Sequence, residues 1–532
     1  MFHKLLSSQV NWVTALLLLM QQFNHATCLL SGFYGGGRSC LTNQLTKRWT
    51  TISKRNHSNL SVARGNPDET TGRKDDIQIG IIGGGASGIF AACAASEAKE
   101  RFTKICESKG YPPPKIGITV LEATNLLMTK VKVSGGGRCN VLHDTTKPLR
   151  EILQSYPRGE KELAGILSKR FTPQMARNWF ESQGVELKTE ADGRMFPTSD
   201  NSKTIIDTLY NAAVLKGGVQ IEKATKIRAV LESKDGKFQV FTSNALANMS
   251  EDTGRIFDAI ILATGSSPTG HEIASNLGHT IVQPVPSLFS LRLAHDVKAG
   301  GLLHGLSGLS LKNVRISVKV DCKSNKDEKP SEPLQLKKNQ HTVQQKGPIL
   351  ITHEGISGPA SLKLSAFAAR IFNEVNYHGI VHLHLAPDIG KIEDIEQIFI
   401  QQKQTASRKL VSSTCPLVYN EINYENYNTE NGTFEILSTR IIPKRLWTRL
   451  CEKAGIASTS RWADVSKKNL RALADIVVHC PFEVTGKSTN KEEFVTAGGV
   501  QLKEIDMTTM QSKLCPGLFF CGECIDVDGV TG

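Results

Sequence analysis

The stretch DDIQIGIIGGGASGIFAACAASEAKE, residues 75–100, decides the fold. Its isoleucines predict a short buried strand, and the motif Gly83-x-Gly85-x-x-Gly88 leads directly into an alanine-rich helix that begins at Ala86. Glycines at this spacing permit a tight turn and bring bare backbone close to the pyrophosphate of a dinucleotide, while the helix N-terminus supplies N–H groups. The motif alone is a weak signal, but its position between a strand and a helix makes it informative.

A dinucleotide-binding domain also has an acid at the end of its second strand, where it binds ribose hydroxyls. The segment IGITVLE places Glu122 at that position. Gly88 and Glu122 are 34 residues apart, whereas about 20 are usual. We interpret residues 99–115, which contain Gly110 and three consecutive prolines, as a surface-loop insertion. The alternative is an acid at the end of an unrelated strand.

Two further segments bring backbone close to a ligand. VSGGGRCN, residues 133–140, has three successive glycines after a short strand-like stretch, with Arg138 available to contact an anion. A flexible turn is the alternative interpretation. FDAIILATGSS, residues 257–267, predicts a buried strand followed by the close-approach residues Ala263, Thr264 and Gly265.

The charge of the chain is concentrated at its start. Residues 1–67 contain seven basic residues and no acid, so the remaining chain has 57 basic and 51 acidic residues, or +6, against +13 for the whole. No basic run is interleaved with aromatic residues, which argues against a nucleic-acid partner. The twelve cysteines are mostly isolated in apolar surroundings and indicate a reducing compartment rather than a disulfide framework.

Residues 1–75 have the composition of a targeting leader. The apolar run at residues 13–20 follows Lys4 and precedes small residues, as in a signal peptide. It is shorter than the roughly 20 residues that span a bilayer, so no stable membrane span is predicted. The acid-free, Ser/Thr/Arg-rich stretch that follows is typical of a transit peptide. Together they predict a plastid reached through the secretory route, as in algae with complex plastids; a mitochondrion and then secretion are the alternatives.

Several further blocks follow one another along the chain: Lys130 with SGGGRCN (134–140), GRMFPTS (193–199), ILATG (261–265), LGH (277–279), PSL (286–288), ITHEGISGP (351–359), AGGVQLKEID (497–506) and LFFCGECIDVDGVTG (518–532). In this order they resemble the bacterial YhiN/BaiN-type flavoproteins, which carry FAD on a glutathione-reductase-like fold. The likeness extends from about residue 76 to the last residue. Members of that family continue with a glycine-led helix facing the flavin, so we expect either a truncated sequence or a weakened cofactor site.

Local sequence patterns predict the secondary structure of the remaining chain. Asp235-Gly236, between alternating apolar and polar residues, predicts a hairpin. Residues 323–347 are polar and predict an exposed loop insertion, and residues from about 389 to 475 have a helical pattern. With the resemblance, these patterns predict an α/β fold with a split Rossmann-like FAD-binding domain (76–283 and 495–532), an inserted β-rich domain (284–388 and 476–494) and a helical domain (389–475).

The resemblance also implies the cofactor site. The glycine loop would hold the pyrophosphate, Glu122 the adenosine ribose, and Asp526 the ribityl or pyrophosphate portion. Lys130, with Arg138 and Asn140, would contact the phosphates or the ring edge. No metal site is predicted. The full predicted set is Gly83, Gly84, Gly85, Ala86, Ser87, Gly88, Glu122, Lys130, Ser134, Gly135, Gly136, Gly137, Arg138, Asn140, Ala263, Thr264, Gly265, Gly522, Glu523, Asp526 and Gly529.

The resemblance places Cys139 and His353 near the flavin ring, which makes them the candidate catalytic residues. A histidine in a turn before a helix is more often structural, and Cys139 is more often a packed thiol. Cys521-x-x-Cys524 allows a redox dithiol, but such a pair normally opens a helix. Here it continues an apolar strand into an acidic turn, and family members usually hold other small or aliphatic residues there, so we interpret these cysteines as incidental.

Only one dinucleotide fingerprint is present in the sequence, which favours FAD as the bound cofactor. A donor such as NADH or NADPH would then reach the flavin without a Rossmann pocket of its own. We predict an FAD-dependent oxidoreductase that transfers hydride through the flavin to an unidentified small-molecule acceptor. The alternatives are a non-catalytic flavin-binding redox sensor or partner-binding protein and a dithiol oxidoreductase. No segment indicates an oligomeric state.

Overall fold

The computed structural model describes residues 77–530, apart from 109, 111, 244–253, 320–341, 429–432 and 489–494. The predicted targeting leader therefore lies outside the described residues. The chain divides into two compact units, Met1–Pro284 with Phe494–Gly532 and Val285–Glu493. The second unit contains both the segments predicted to be β-rich and those predicted to be helical.

The strands and helices are numbered in chain order. The strands are β1 (Ile77–Ile82), β2 (Ile116–Leu121), β3 (Leu142–His143), β4 (Leu187–Thr189), β5 (Arg194–Pro197), β6 (Gln220–Glu222), β7 (Ile227–Glu232), β8 (Phe238–Thr242), β9 (Arg255–Phe257), β10 (Ala259–Leu262), β11 (Ile281–Ser287), β12 (Leu291–Arg292), β13 (Ser310–Lys319), β14 (Thr342–Ile351), β15 (Gly355–Ser357), β16 (His378–His384), β17 (Val418–Asn428), β18 (Thr433–Arg440), β19 (Cys480–Lys487), β20 (Val495–Val500), β21 (Ile505–Asp506), β22 (Gln511–Ser512) and β23 (Leu518–Phe520). The α-helices are α1 (Ala86–Ser108), α2 (Thr129–Gly137), α3 (Leu149–Leu153), α4 (Glu160–Gly165), α5 (Pro173–Ser182), α6 (Ser202–Tyr210), α7 (Pro268–Asn276), α8 (Pro359–Phe367), α9 (Ala369–Glu374), α10 (Ile392–Thr405), α11 (Lys444–Lys453) and α12 (Lys467–Val478).

A seven-stranded sheet organises the first unit, in the order β21-β22-β23-β10-β1-β2-β6. The five strands from β23 to β6 are parallel, and β22 pairs antiparallel with β23 at one edge. Strands buried on both faces need continuous apolar runs. The buried ends of β1 and β10, Ile81–Ile82 and Ile260–Leu262, satisfy this requirement. The predicted α/β fold with a Rossmann-like domain is confirmed.

Helix α1 packs against this sheet through small side chains. Its first turns bury a run of alanines around Phe90, which contacts Trp179 edge-on with ring centroids 4.7 Å apart. The helix extends to Ser108, so the first ten residues of the predicted loop insertion at 99–115 are helical, and that part of the prediction is wrong. Lysine, arginine and glutamate are good helix formers and let the helix continue.

The first unit also contains two three-stranded antiparallel sheets, β3-β5-β4 and β7-β8-β9. Strands β7 and β8 pair around Asp235-Gly236, with Glu232 opposite Phe238, which confirms the predicted hairpin. Gly236 has φ +78°, a value that favours glycine at this turn position.

The second unit is built around a closed barrel in which β12, β15, β14, β13, β16 and β19 follow one another. Its apolar core includes Ile316, Val381 and Phe482. Helices α11 and α12 form where predicted. Two predictions are corrected, however, because β14 includes residues 342–347 of the predicted loop, and β17 pairs antiparallel with β18 inside the predicted helical segment. Tyr, Ile, Thr and Phe, which favour strands, recur in the sequence on both sides of Asn431-Gly432, a pattern typical of a hairpin.

No helix among the described residues is long and apolar enough to cross a membrane. In the same part of the chain no three or more His, Cys, Asp or Glu side chains are grouped so that they could hold a metal ion.

Candidate cofactor site

The carboxyl ends of four adjacent parallel strands define the candidate site. Gly83 follows β1, Glu122 follows β2, Ala263 follows β10 and Cys521 follows β23. Backbone hydrogen bonds between neighbouring strands continue past the strand ends. Gly83 N–H donates to the Leu121 carbonyl of β2 at 2.9 Å. The N–H group of Ala263 donates to the last carbonyl of β1 at 2.8 Å, and that of Cys521 donates to the last carbonyl of β10 at 3.0 Å. Ligands of open α/β sheets bind at such an edge.

The three motif glycines differ in what a side chain would meet. A Cβ on Gly83, where φ is +110°, would lie 2.5 Å from the Ala263 carbonyl oxygen. One on Gly88 would lie 1.8 Å from the Gly83 carbonyl oxygen, whereas one on Gly85 would meet no atom of the described residues within 4 Å. Gly83 and Gly88 are therefore required by packing. Gly85 faces open space at the N-terminus of α1, which fits the approach of a diphosphate.

The carboxylate of Glu122 is held beside the glycine loop. Its Oε2 accepts a 2.7 Å hydrogen bond from Gly84 N–H, and its Oε1 accepts from the main chain and hydroxyl of Thr124, both at 2.8 Å. These donors fix the orientation of the carboxylate at the end of β2, where sequence reasoning predicted a ribose ligand.

The segment before the three glycines is helical, which corrects the predicted strand-like stretch. Helix α2 includes residues 129–133, and the chain leaves the helical conformation at Ser134, Gly135 and Gly136, with φ of +56° and +72° at the last two. A Cβ on Gly135 would lie 2.8 Å from the backbone nitrogen of Asn140. The glycines therefore permit a compact loop that returns on itself. The loop continues through Gly137, where φ is +88°.

Arg138 is held by carboxylates in this structure. Its Nη1 lies 2.5 Å from Glu190 and 3.6 Å from Asp200, and its guanidinium stacks over the Phe196 ring at 4.0 Å from the centroid. The hydrogen bond to Glu190 raises the pKa of Arg138 above its usual value. The structure thus brings the SGGGRCN and GRMFPTS blocks together. The predicted contact of Arg138 with a phosphate stays a prediction.

Glu523 is a buried carboxylate with one unsatisfied oxygen. It lies in the 3₁₀ turn Gly522–Cys524 and is 7% exposed. Its Oε2 is 3.7 Å from Lys130 Nζ, while its Oε1 has no hydrogen-bond partner among the described residues. Burial raises the pKa of Glu523; Lys130 opposes this shift and Asp528 adds to it.

Thr264, which follows β10, has a second unsatisfied buried oxygen. Its Oγ1 finds no hydrogen-bond partner in the described part of the chain. Buried polar atoms without partners are uncommon in native proteins and require an explanation. Thr264 and Glu523 follow adjacent parallel strands, but a Cβ on Gly270 would lie 1.8 Å from Thr264 Oγ1, so this oxygen lies against helix α7. Of the two unsatisfied oxygens, Glu523 Oε1 is the one that fits a contact with a hydroxyl group of a bound nucleotide. Gly265, with φ +59°, lets the chain turn away directly afterwards.

A buried ion pair near the C-terminus was not predicted from the sequence. Asp528 is fully buried, and both of its carboxylate oxygens accept hydrogen bonds from Arg158. The two residues are separated by 370 positions, so no local pattern connects them. Asp526 and Gly529, both predicted cofactor contacts, lie in the same turn, where Asp526 N–H donates to the Val500 carbonyl at 3.0 Å.

A family model described as HI0933-like protein Rossmann domain matches residues 77–532. The chain belongs to this family. It is 25% identical to a ribosomal RNA dihydrouridine synthase of Haemophilus influenzae over 464 residues, 85% of this chain and 93% of that protein. It is also 25% identical to a 3-dehydro-bile acid delta(4,6)-reductase of Clostridium scindens over 479 residues, 86% of this chain and 94% of that protein.

Among solved structures, a 3-ketosteroid-delta4-(5alpha)-dehydrogenase of Rhodococcus jostii RHA1 aligns with 86% of this chain and 92% of its own, at 11% identity and a TM-score of 0.36. The predicted resemblance to YhiN/BaiN-type proteins is confirmed by the family match. Membership of the HI0933-like family supports an FAD-dependent oxidoreductase as the functional class. A nicotinamide donor and the identity of the acceptor remain predictions.

The candidate catalytic residues of this HI0933-like chain lie in different units. Cys139 is buried in the first unit with φ +62°, and burial raises the pKa of its thiol to about 12. A protonated, enclosed thiol agrees with a packing role. His353 lies in the second unit, exposed in the turn between β14 and β15. Catalytic duty for either residue stays a prediction.

Cys521 and Cys524 are fully buried. The Cys524 thiol donates to the carbonyls of Leu262 and Cys521 at 3.2 Å, and burial raises its pKa to about 12. The pKa of Cys521 is also raised well above its ordinary value by burial. Reactive dithiols require an accessible thiolate, so this geometry favours the interpretation that the pair is incidental.

Proposed function

We propose that this HI0933-like protein is an FAD-dependent oxidoreductase that uses NADH or NADPH as donor. The observation that carries the proposal is the open space beside Gly85, at the sheet edge where Glu523 Oε1 has no hydrogen-bond partner in the described chain. Bound FAD would accept a hydride from the nicotinamide and pass it to the acceptor.

The chain itself supplies binding and orientation. The glycine loop and the N-terminus of α1 would hold the diphosphate, because both present main-chain N–H groups. Glu122, already oriented by Gly84 and Thr124, would accept hydrogen bonds from the adenosine ribose. Lys130, half exposed beside Glu523, supplies positive charge near the C-terminal turn.

The names of the two relatives suggest a class of acceptor. Dihydrouridine is uridine with a saturated ring double bond, and a delta(4,6)-reductase of a 3-dehydro-bile acid reduces a ring that carries a ketone. In both cases the carbon–carbon double bond is conjugated to a carbonyl group, which favours hydride addition. We propose that this protein reduces such a bond in a small molecule. A uracil ring in RNA is the second candidate, favoured only by the relative's name.

Anaerobic spectroscopy of the full-length protein tests this proposal. We expect a yellow preparation whose flavin absorbance is bleached by NADPH or NADH and restored by a cyclic enone. Restoration by a uridine-containing transcript but not by the enone would favour the RNA candidate. Colour without bleaching by either donor would favour the non-catalytic sensor, and a colourless protein that ignores added FAD would overturn the proposal.

The two candidate catalytic residues are tested in the same assay. If His353 supplies a proton to the reduced acceptor, His353→Gln should slow reoxidation by the enone while leaving bleaching by NADPH unchanged. Cys139→Ala should change neither step if the thiol only packs. An unchanged reoxidation rate in His353→Gln would make the histidine structural.

We also propose delivery to an organelle, with a plastid favoured and a mitochondrion as the alternative, on the basis of the composition of residues 1–75. A fluorescent protein fused after residue 75 and expressed in an alga with a complex plastid should colocalise with chlorophyll. Accumulation in mitochondria or in the medium would instead support one of the other two destinations.

A further inference from the structure

The ion pair between Arg158 and Asp528 has the geometry of a two-point clamp. Arg158 Nε donates to one carboxylate oxygen and Nη2 to the other. Asp528 is fully buried, and the Arg158 side chain is 13% exposed. A bidentate pair of this kind fixes both distance and orientation, which a lysine cannot do because its ammonium group is a point charge.

The clamp fastens the C-terminal turn to the segment at residues 155–159. Beside the ion pair, Arg158 and Asp528 form an antiparallel backbone bridge, and Val530 N–H donates to the Ser155 carbonyl at 2.6 Å. Gly159, with φ +85°, leaves no room for a side chain, since a Cβ there would lie 2.6 Å from Val527. The turn therefore lies in direct contact with this segment.

The turn is also held by β20. Val500 and Ile525 form a parallel bridge, and a Cβ on Gly499 would lie 2.6 Å from the Cys524 carbonyl oxygen. Glu523 immediately precedes Cys524 and Ile525, the two residues that make these contacts with β20. Its position relative to the end of β10 thus depends on how the turn is held.

Charge adds a second connection between the clamp and Glu523. Asp528 lies near enough to raise the pKa of Glu523, and Lys130 Nζ lies 3.7 Å from Glu523 Oε2. Each of the two carboxylates therefore has a cation of its own, Lys130 for Glu523 and Arg158 for Asp528. Arg158 neutralises the carboxylate that would otherwise repel Glu523.

We propose that Arg158 is a positioning residue for the cofactor: by clamping Asp528 it orients the C-terminal turn so that the unpartnered Oε1 of Glu523 is presented to the bound nucleotide. This inference rests on the proposed FAD function. It assigns to Arg158 an effect on cofactor affinity that a purely structural ion pair would not have.

The test compares FAD binding with folding in the full-length protein. Arg158→Lys keeps the charge but loses the fork, and the double variant Arg158→Met/Asp528→Leu replaces the buried pair with apolar side chains, an exchange that folded proteins often tolerate. Arg177→Met/Glu181→Leu, at an ion pair on α5 that is about one-third exposed, is the matched control. The readouts are flavin-fluorescence titration of each apoprotein, visible circular dichroism of the bound flavin and thermal unfolding of the apoprotein.

We expect both Arg158 variants to bind FAD at least about tenfold more weakly, because a preorganised contact is lost, with an altered flavin dichroism and an apoprotein that still unfolds cooperatively. The control should match the unsubstituted protein. A folded double variant with unchanged FAD affinity and flavin dichroism would overturn the inference. If the double variant does not fold, unchanged FAD affinity and dichroism in Arg158→Lys would overturn it instead. Absence of FAD binding by the unsubstituted protein would instead overturn the proposed function, and this inference with it.

Discussion

Glu122 and Gly84 are joined by a 2.7 Å hydrogen bond from the glycine N–H to the carboxylate, across 38 residues of sequence. The bond connects the loop after β1 with the end of β2. Since the same carboxylate also accepts from Thr124, its orientation is set before any nucleotide binds. The predicted ribose ligand and the predicted phosphate loop are therefore parts of one structure.

Valine substitutions should separate the roles of the motif glycines. Gly85→Val should leave the apoprotein folded but lower FAD affinity by at least about tenfold, or about 1.4 kcal/mol, since the side chain would occupy the open space. Gly88→Val should destabilise the fold by about 3 kcal/mol or more, because the added atoms overlap the Gly83 carbonyl. Flavin content and denaturant unfolding measure the two effects.

Gly165→Val is the control for this pair, since a Cβ at Gly165 also meets no described atom within 4 Å and its φ is not positive. It should retain full FAD binding. Equal FAD affinity of Gly85→Val and the unsubstituted protein would contradict the assignment of the phosphate site.

Glu122→Gln should weaken FAD binding without unfolding the protein. The amide keeps one oxygen, so either the Gly84 N–H or the two Thr124 donors lose their acceptor, and each unsatisfied donor costs about 1–3 kcal/mol. Calorimetric titration of the apoprotein should show roughly a tenfold loss. Thr124→Val removes only the hydroxyl donor and should have the smaller effect. The reverse order of the two variants would argue against a ribose contact by Glu122.

Removing both C-terminal thiols should leave flavin chemistry intact. With a pKa of about 12 for Cys524, only about one molecule in 10⁵ carries that thiolate at pH 7. Cys521→Ala/Cys524→Ala should therefore bind FAD and be bleached by NADPH at rates within about twofold of the unsubstituted protein. A complete loss of turnover with normal FAD content would revive the dithiol mechanism.

Glu523 should make the stability of the apoprotein depend on pH. Its pKa in the folded protein lies above the ordinary value of 4.5, mainly because of burial. Between these two values the folded state holds a proton that the unfolded state has released, so the free energy of unfolding decreases as the pH rises through that interval. Glu523→Gln cannot titrate and should lack this decrease.

Urea unfolding of the apoprotein from pH 4 upward, for the unsubstituted protein and Glu523→Gln, checks the sign. The difference in stability should shift in favour of the glutamine variant as the pH rises. Glu181→Gln, at an exposed ion pair on α5, is the control and should follow the unsubstituted protein. A difference that shifts the other way would show that Lys130 dominates over burial.

Local sequence patterns were sufficient for the front of the site. The strand, the glycine loop, the start of α1 and the position of Glu122 each follow from residues that lie next to one another, and the structure has them there. The helical residues before Ser134 and the β17–β18 hairpin were misjudged, because short segments of mixed composition allow both helix and strand and tertiary packing decides between them.

Local sequence patterns did not predict the ion-pair partners of the charged residues. Arg138 was interpreted from sequence as an anion ligand, but it is held by Glu190 and Asp200, which lie far along the chain. The sequence does not predict the ion pair of Arg158 with Asp528, because the residues next to Arg158 are those expected beside an exposed arginine.

The sequence by itself determined the family, the parallel sheet and the glycine loop, because these depend on apolar runs and on backbone freedom that are encoded locally. Only the tertiary structure decided how the two acids in the C-terminal turn are buried and which partners they have. Asp528 meets Arg158 and is fully paired, whereas Glu523, five residues earlier, is buried with one oxygen unsatisfied. Burial and pairing depend on which distant segments fold against the turn, and no local pattern carries that information.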